Sequence, residues 1–482
     1  MAVFAADMGA TVAAVIFIVL LFNLWRKYHR NSAQSPPQPS GALPIIGHLH
    51  LLGAESHIAH TLANLADKYG PVFTLWLGMQ RVVVVSSREA VFECFTSNDK
   101  SFANRPKFSA GEHLVYDHAS FGFTNGPYWR EMRKLHRRAV PGDDDERAES
   151  SDQSLGREDD AQHNSEDDRR ETVRKRRGGG GEFQETYSRV HCVVGGVRAV
   201  GCDPNSIAEM DRSSGPFKNM KRVSKELDGI IGKWIDEHMQ RRGKGEERKE
   251  EQDFIDLMLS AIDDKFTTPK LTIIKATVVE ASTQTSVHLT WLLSLLVNNK
   301  HVLNLARQEI ADNVGNQRWV QESDLNNLPY LHAIIKNPYA SILLCPLPHE
   351  AVQDCRLAGY LIPKGTLLFV NLRKLHRDPR YWPEPDRFLP ERFLTMGHAQ
   401  VDVTGQQYEY IPFGMGRRSC PRTTFAMQVS SLAVARLIQG FDFATAGDVP
   451  VDMAEGIGIT MPRANPLEVL LTPRLPSQLY GQ

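Results

Sequence analysis

A chain of 482 residues and 54.2 kDa is too long for one small core and fits one large domain or two ordinary ones. Its 56 Lys and Arg against 57 Asp and Glu leave a formal net charge of -1, which excludes the global basic field of a nucleic-acid-binding protein; no nucleic acid is expected as a partner. Six cysteines (Cys94, Cys192, Cys202, Cys345, Cys355, Cys420) lie scattered without CxxC pairs, against a disulfide framework or a zinc site.

Met8 to Trp25 carries no charge, and at about 1.5 Å per residue it makes roughly 27 Å of helix, enough to span an endoplasmic reticulum bilayer. Arg26, Lys27 and Arg30 follow while only Asp7 precedes. The positive-inside rule therefore predicts a single-pass transmembrane anchor over 8–25 with the body facing the cytosol, and a cleaved leader would carry its positive charges in front. Residues 26–47 read as a basic and proline-rich hinge, stiffened by Pro36, Pro37, Pro39 and Pro44.

The body, 48–482, reads as mainly α with small β-sheets. GPVFTLWLGMQRVVVVSS from Gly70 predicts two strands about a Gly78-Met79 turn, Val82 to Val85 buried, and Ser86 or Ser87 capping the next helix. Met220, Val223, Leu227, Ile230 and Trp234 recur at three- and four-residue steps and predict one apolar helical face. Leu271 to Asn299 predicts a long helix, apolar nearly all round in its second half. In CRLAGYLIPKGTLLFVNL the Pro363-Lys364-Gly365 turn joins two short strands. Between Asp143 and Glu182 only Ala148, Leu155, Ala161 and Val173 are apolar among acidic runs, the basic tetrad Arg174 to Arg177 and four glycines. Such a stretch cannot bury enough apolar surface to offset its ordering entropy, which predicts a disordered insert over 141–182.

FGMGRRSCPR, 413–422, places a cysteine behind a glycine-bracketed turn. A thiolate that ligates iron needs positive surroundings and backbone N–H groups aimed at its sulfur. Gly414 and Gly416 permit the tight turn, Arg417 and Arg418 bring charge that suits heme carboxylates, and the helix predicted after Pro421 adds its N-terminal dipole. A glycine-flanked cysteine alone is more often a small buried hydrophobe than a ligand.

Phe413, Gly416, Arg418 and Cys420 fill F-x-x-G-x-R-x-C, which resembles the heme-ligand signature of cytochromes P450. PERF at Pro390 to Phe393, Trp129-x-x-x-Arg133, FANRP at Phe102 to Pro106 and LHRDPRYWPEPDRFLPERF extend the resemblance to plant microsomal P450s, nearest to plant family 82. The resemblance covers roughly 1–138 and 217–482. It implies a cytochrome P450-like fold with an N-terminal transmembrane helix, heme b (iron protoporphyrin IX) with Cys420 as axial metal ligand, and propionate contacts from Trp129, Arg133 and Arg418 beside Phe413 and Gly416. It further implies electrons from NADPH-cytochrome P450 reductase, O2, a small lipophilic substrate, and an endoplasmic reticulum membrane address.

Two family motifs are degraded. The oxygen-side stretch [AG]-G-x-[DE]-T-[TS] reads Ala281-Ser282-Thr283-Gln284-Thr285-Ser286, so Thr285 stands at the relay alcohol and Gln284 replaces the acid. An amide does not titrate near neutral pH and only positions water; equally, Thr285 fits a helix threonine bonding back to a carbonyl. The family's Glu-x-x-Arg belongs just after Lys336, where Asn337 to Pro348 holds neither residue. That leaves Arg392 expected as a buried charge without its partner. Arg422 replaces the glycine after Cys-Pro, bringing a charge that the helix dipole disfavours. The expectation is a heme-thiolate monooxygenase that hydroxylates or demethylates a small lipophilic specialised metabolite. Two alternatives stay open: a non-catalytic P450 relic or disturbed gene product with poor heme binding, and a P450-fold isomerase or dehydratase acting on a hydroperoxide.

Overall fold

A computed structural model of the chain describes residues 34–52, 58–139, 216–243, 254–262, 266, 268–337, 347–395, 398–456 and 461–480. The predicted anchor 8–25, the insert 141–182 and most of the stretch after Lys336 lie outside the described residues. Among the described residues no helix is long and apolar enough to cross a membrane. The chain divides into two units, Met1–Asn104 with Pro348–Leu375 and Arg105–Leu347 with His376–Gln482.

Among the described residues the first unit carries six strands: β1 (Val72–Leu77), β2 (Gln80–Val85), β3 (His349–Glu350), β4 (Cys355–Leu357), β5 (Tyr360–Ile362) and β6 (Leu367–Val370). Four of them form one sheet in the order β1-β2-β6-β3. The β1–β2 hairpin turns at Gly78, whose φ of 62° lies in the left-handed region that glycine enters freely. β2 then runs parallel to β6, Val82 opposite Leu367 and Val85 opposite Val370. A strand interior to a sheet and covered on its faces reads as an unbroken apolar run, which is why four successive valines serve here. The helix Ile58–Tyr69 packs Leu62 and Ala66 onto Phe73, Leu75, Val82 and Val84. Ser87 caps the helix Arg88–Phe95, its hydroxyl accepting from Ala90 N at 3.3 Å. The Pro363-Lys364-Gly365 turn leads from β5, paired with β4, into β6, so it links strands of two different sheets rather than closing a hairpin.

The second unit is helical. Leu289, Leu292, Leu295 and Leu296 of the long helix Lys270–Asn298 pack against the helices Lys300–Asn313, Pro329–Lys336 and Thr423–Gly440. A second cluster joins Met132 and Leu135 of the helix Gly126–Ala139 to Ile231 and Ile235 of Pro216–Gly243, to Met258 of Phe254–Ala261 and to Ile273. Of the expected face, Leu227 is buried and Trp234 packs against this cluster, while Ile230 gives way to Ile231. Leu227, Ile231 and Ile235, spaced by fours, are buried, while Ile230 is 37% exposed. Two further strands, β7 (Phe441–Ala444) and β8 (Leu470–Pro473), pair antiparallel.

Candidate functional site

The segment Phe413 to Cys420 folds back on itself, with Cys420 N–H donating to the Phe413 carbonyl at 2.9 Å. Gly414 and Gly416 sit at φ 72° and 65°, where a side chain would be strained, and Gly416–Arg418 makes one 3-10 turn before the cysteine. Cys420 is half-buried, and the Thr423 hydroxyl donates to its carbonyl at 3.2 Å at the start of the Thr423–Gly440 helix. Phe413 packs with Trp382, Phe393 and Tyr410.

Trp129, Arg133 and Arg418 converge as their motif positions imply. Arg418 lies 4.4 Å from the Trp129 ring centroid and Arg133 5.9 Å from it, so one indole faces two guanidiniums. Arg133 Nη1 donates to the carbonyls of Arg417 (2.9 Å) and Ser419 (3.1 Å), tying the Gly126–Ala139 helix to the residues beside the cysteine. Arg418 donates to the Thr124 carbonyl at 2.8 Å and to Asn125 Oδ1 at 2.7 Å. Trp129 Nε1 is buried and has no hydrogen-bond partner. A native fold rarely leaves a buried donor unpaired, and two guanidiniums with an orphaned indole N–H form a donor set suited to carboxylates such as those of heme.

Arg392 corrects the expectation of an uncompensated charge. Its guanidinium donates to the carbonyls of Leu389 (3.1 Å), Pro383 (3.0 Å), Glu384 (3.2 Å) and Arg387 (2.9 Å). Burial pushes its pKa down while Glu384 and Glu391 oppose the shift. Backbone oxygens thus take the place of a carboxylate. The Pro329–Lys336 helix is held by other acids: Glu309 accepts from Tyr330 N (2.7 Å) and Leu331 N (2.9 Å), and the Tyr330 hydroxyl donates to Glu391 at 2.6 Å. The Tyr410 hydroxyl donates to the Lys336 carbonyl, and Ile411 N–H donates to His376 Nε2 at 3.1 Å. Burial, with the charge of Arg377, pushes His376 down to about 3, so the ring stays a neutral acceptor.

Arg422 is a second correction. Its φ of -128° needs no glycine, and its side chain is buried, 4.0 Å from the Phe254 ring centroid and 3.6 Å from Met258 Sδ. The charge that the dipole disfavours is carried away from the helix start onto an aromatic face.

On the long helix, the Thr285 hydroxyl donates to the Ala281 carbonyl at 3.2 Å and the Gln284 side chain is exposed. One turn before Gln284 stands Glu280, which the motif reading passed over. Its carboxylate accepts from Gly122 N at 3.2 Å, desolvation pushes its pKa up, and a Cβ on Gly122 would fall 2.1 Å from Glu280 Oε1. Asn125 was missed likewise; the only sequence signal was its place just before the Gly126-Pro127 helix start.

The cytochrome P450 family model matches residues 36–150 and 212–468, and the chain belongs to that family. It is 42% identical to vinorine hydroxylase of Rauvolfia serpentina over 97% of this chain and 98% of that one. Nicotine N-demethylase CYP82E4 of Nicotiana tabacum is 40% identical (98% and 99% covered), and xanthotoxin 5-hydroxylase CYP82C4 of Arabidopsis thaliana 37% (96% and 98%), in keeping with the resemblance to plant family 82. A solved zebra fish cytochrome P450 structure with abiraterone has a TM-score of 0.62 at 22% identity, covering 86% of this chain and 99% of that one, which shows the fold. The family's cofactor is heme b, and the donor set around Trp129 fits its carboxylates.

Proposed function

We propose that the protein is a heme-thiolate monooxygenase that hydroxylates or demethylates a small lipophilic specialised metabolite. Electrons would come from NADPH-cytochrome P450 reductase, and residues 8–25 would anchor it, single-pass, in the endoplasmic reticulum membrane ahead of the 26–47 hinge. The observation that carries the reading is the orphaned Trp129 N–H between two guanidiniums, one of which binds the carbonyls of Arg417 and Ser419 just before Cys420. Bound heme would supply the oxygen-activating chemistry, and the Cys420 thiolate would hold its iron and donate electron density to it. The chain's own residues do the rest. Cys420 presents sulfur from a turn fixed by two left-handed glycines, Phe413 covers that turn, and Trp129, Arg133 and Arg418 hold carboxylates. Thr285 is the oxygen-side alcohol, with Gln284 beside it.

The relatives named as hydroxylases and a demethylase support the reaction class. The test is the absorbance of the reduced, carbon monoxide-treated protein. A thiolate-type carbonyl band supports the reading, and its absence at full heme supplementation favours the relic. The back-bonded Thr285 and exposed Gln284 favour one second reading, an isomerase or dehydratase of a hydroperoxide, which needs no relay acid. Turnover of a fatty acid hydroperoxide without reductase would select it. For the anchor, deletion of residues 1–30 is expected to move the protein from the membrane fraction toward the soluble one.

A further inference from the structure

We infer that Asn125 is a positioning residue for the heme carboxylate site, fixing the Arg418 guanidinium against the Trp129 indole. The inference rests on the heme reading above. Asn125 directly precedes the Gly126–Ala139 helix, and its own carbonyl accepts from Trp129 N at 3.5 Å. An asparagine at such a place ordinarily turns its side chain back to cap the first helical N–H groups. Here the carboxamide is committed elsewhere: Oδ1 accepts from Arg105 N at 2.8 Å and from Arg418 Nη2 at 2.7 Å, and Nδ2 donates to Arg105 O at 2.9 Å. Both acceptor sites of Oδ1 are thereby filled.

The two bonds to the Arg105 backbone decide which way the amide faces. Nδ2 must meet a carbonyl and Oδ1 an N–H, so the flipped orientation is excluded and an oxygen is presented to Arg418. The neighbouring Thr124 carbonyl takes Nη1 of the same guanidinium at 2.8 Å. Two consecutive residues therefore grip two nitrogens of a planar fork and set its plane over the indole, 4.4 Å from the ring centroid. A lysine in place of Arg418, or an aliphatic residue in place of Asn125, cannot reproduce that grip.

The experiment is heme release from the loaded, full-length protein to excess apomyoglobin. Asn125→Ala is expected to speed release about tenfold, the scale of one hydrogen bond to a charged group. Arg418→Lys is expected to speed it as well, and the double variant to be no faster than Arg418→Lys alone, since Asn125 acts through Arg418. Release at the parent rate in Asn125→Ala, or multiplied effects in the double variant, would overturn the role. Asn125→Asp keeps the acceptor and adds a charge. It is expected to lower the heme reduction potential, and an unchanged potential would also overturn the inference, even if Asn125→Ala does not fold. A parent that loads no heme removes the heme reading and this inference together. A parent that loads heme and releases it no more slowly than Asn125→Ala removes only this inference.

Discussion

Around Cys420, Arg133 reaches in to the carbonyls of Arg417 and Ser419, Arg418 reaches out to Thr124 and Asn125, Tyr410 and His376 hold the approach, and Trp382 with Phe393 packs against Phe413. Over residues 281–286 of the long helix, the Thr285 hydroxyl is given to its own helix and Gln284 points to solvent. The first region is fixed from several elements at once, so the loss of a family ion pair is absorbed: carbonyls of residues 383–389 take over Arg392. The second shows single side chains turned to their own helix or to solvent, with the Glu280 carboxylate one turn earlier engaged by Gly122 N. Several elements hold the thiol turn; among the described side chains, Thr285 on the long helix is tied only within its own helix.

Cys420→Ala tests the first region most severely. It is expected to abolish the thiolate-type carbonyl band outright, while Cys355→Ala leaves it intact; persistence in Cys420→Ala would move the ligand elsewhere. Trp382→Ala empties a fully buried site in the cluster against which Phe413 packs. It is expected to cost about 3–5 kcal/mol in denaturant unfolding and to lower heme occupancy. Acid probes the same shoulder through His376. Its folded pKa lies near 3, below the ordinary value of 6.5, so in that interval the unfolded chain binds more protons and stability falls as pH falls. A loss of about 2 kcal/mol between pH 7 and pH 5 is expected, and His376→Gln should flatten the dependence. Arg422→Gly removes a buried stem from Phe254 and Met258 and is expected to destabilise by about 1 kcal/mol, where the dipole argument alone expects a gain. Smallest of all, Thr285→Val is expected to shift stability by under about 0.5 kcal/mol, because a back-bonded helix hydroxyl contributes little. A larger stability loss would mean that the two regions are held alike.

The thiol turn was legible because its chemistry dictates its letters: two left-handed glycines, an arginine, a cysteine, and a Trp-x-x-x-Arg pair that meets them. The hairpin around Gly78 and the Ser87 cap were legible from local rules. Arg392 was not, since the oxygens that satisfy it belong to the backbone, and any residues at 383, 384, 387 and 389 offer the same carbonyls. Arg422 was misjudged because its fate depends on Phe254 and Met258, far away in sequence. Asn125 escaped for the opposite reason: its residue type announces a helix cap, and only the fold shows the carboxamide turned to Arg105 and Arg418 instead.

The pairing of β2 with β6 also sets a timetable for synthesis. Gln80, at the start of β2, bonds the carbonyl of Gly365, 285 residues away. At roughly 5–20 residues per second, a ribosome needs on the order of 15–60 s to deliver β6 after β2 has emerged. Throughout that interval Val82 to Val85 is a four-valine edge whose parallel neighbour does not yet exist. Production of this protein is therefore expected to depend on how well nascent-chain chaperones shield that edge, and a translational stall before residue 367 should be followed by aggregation rather than by a folded intermediate.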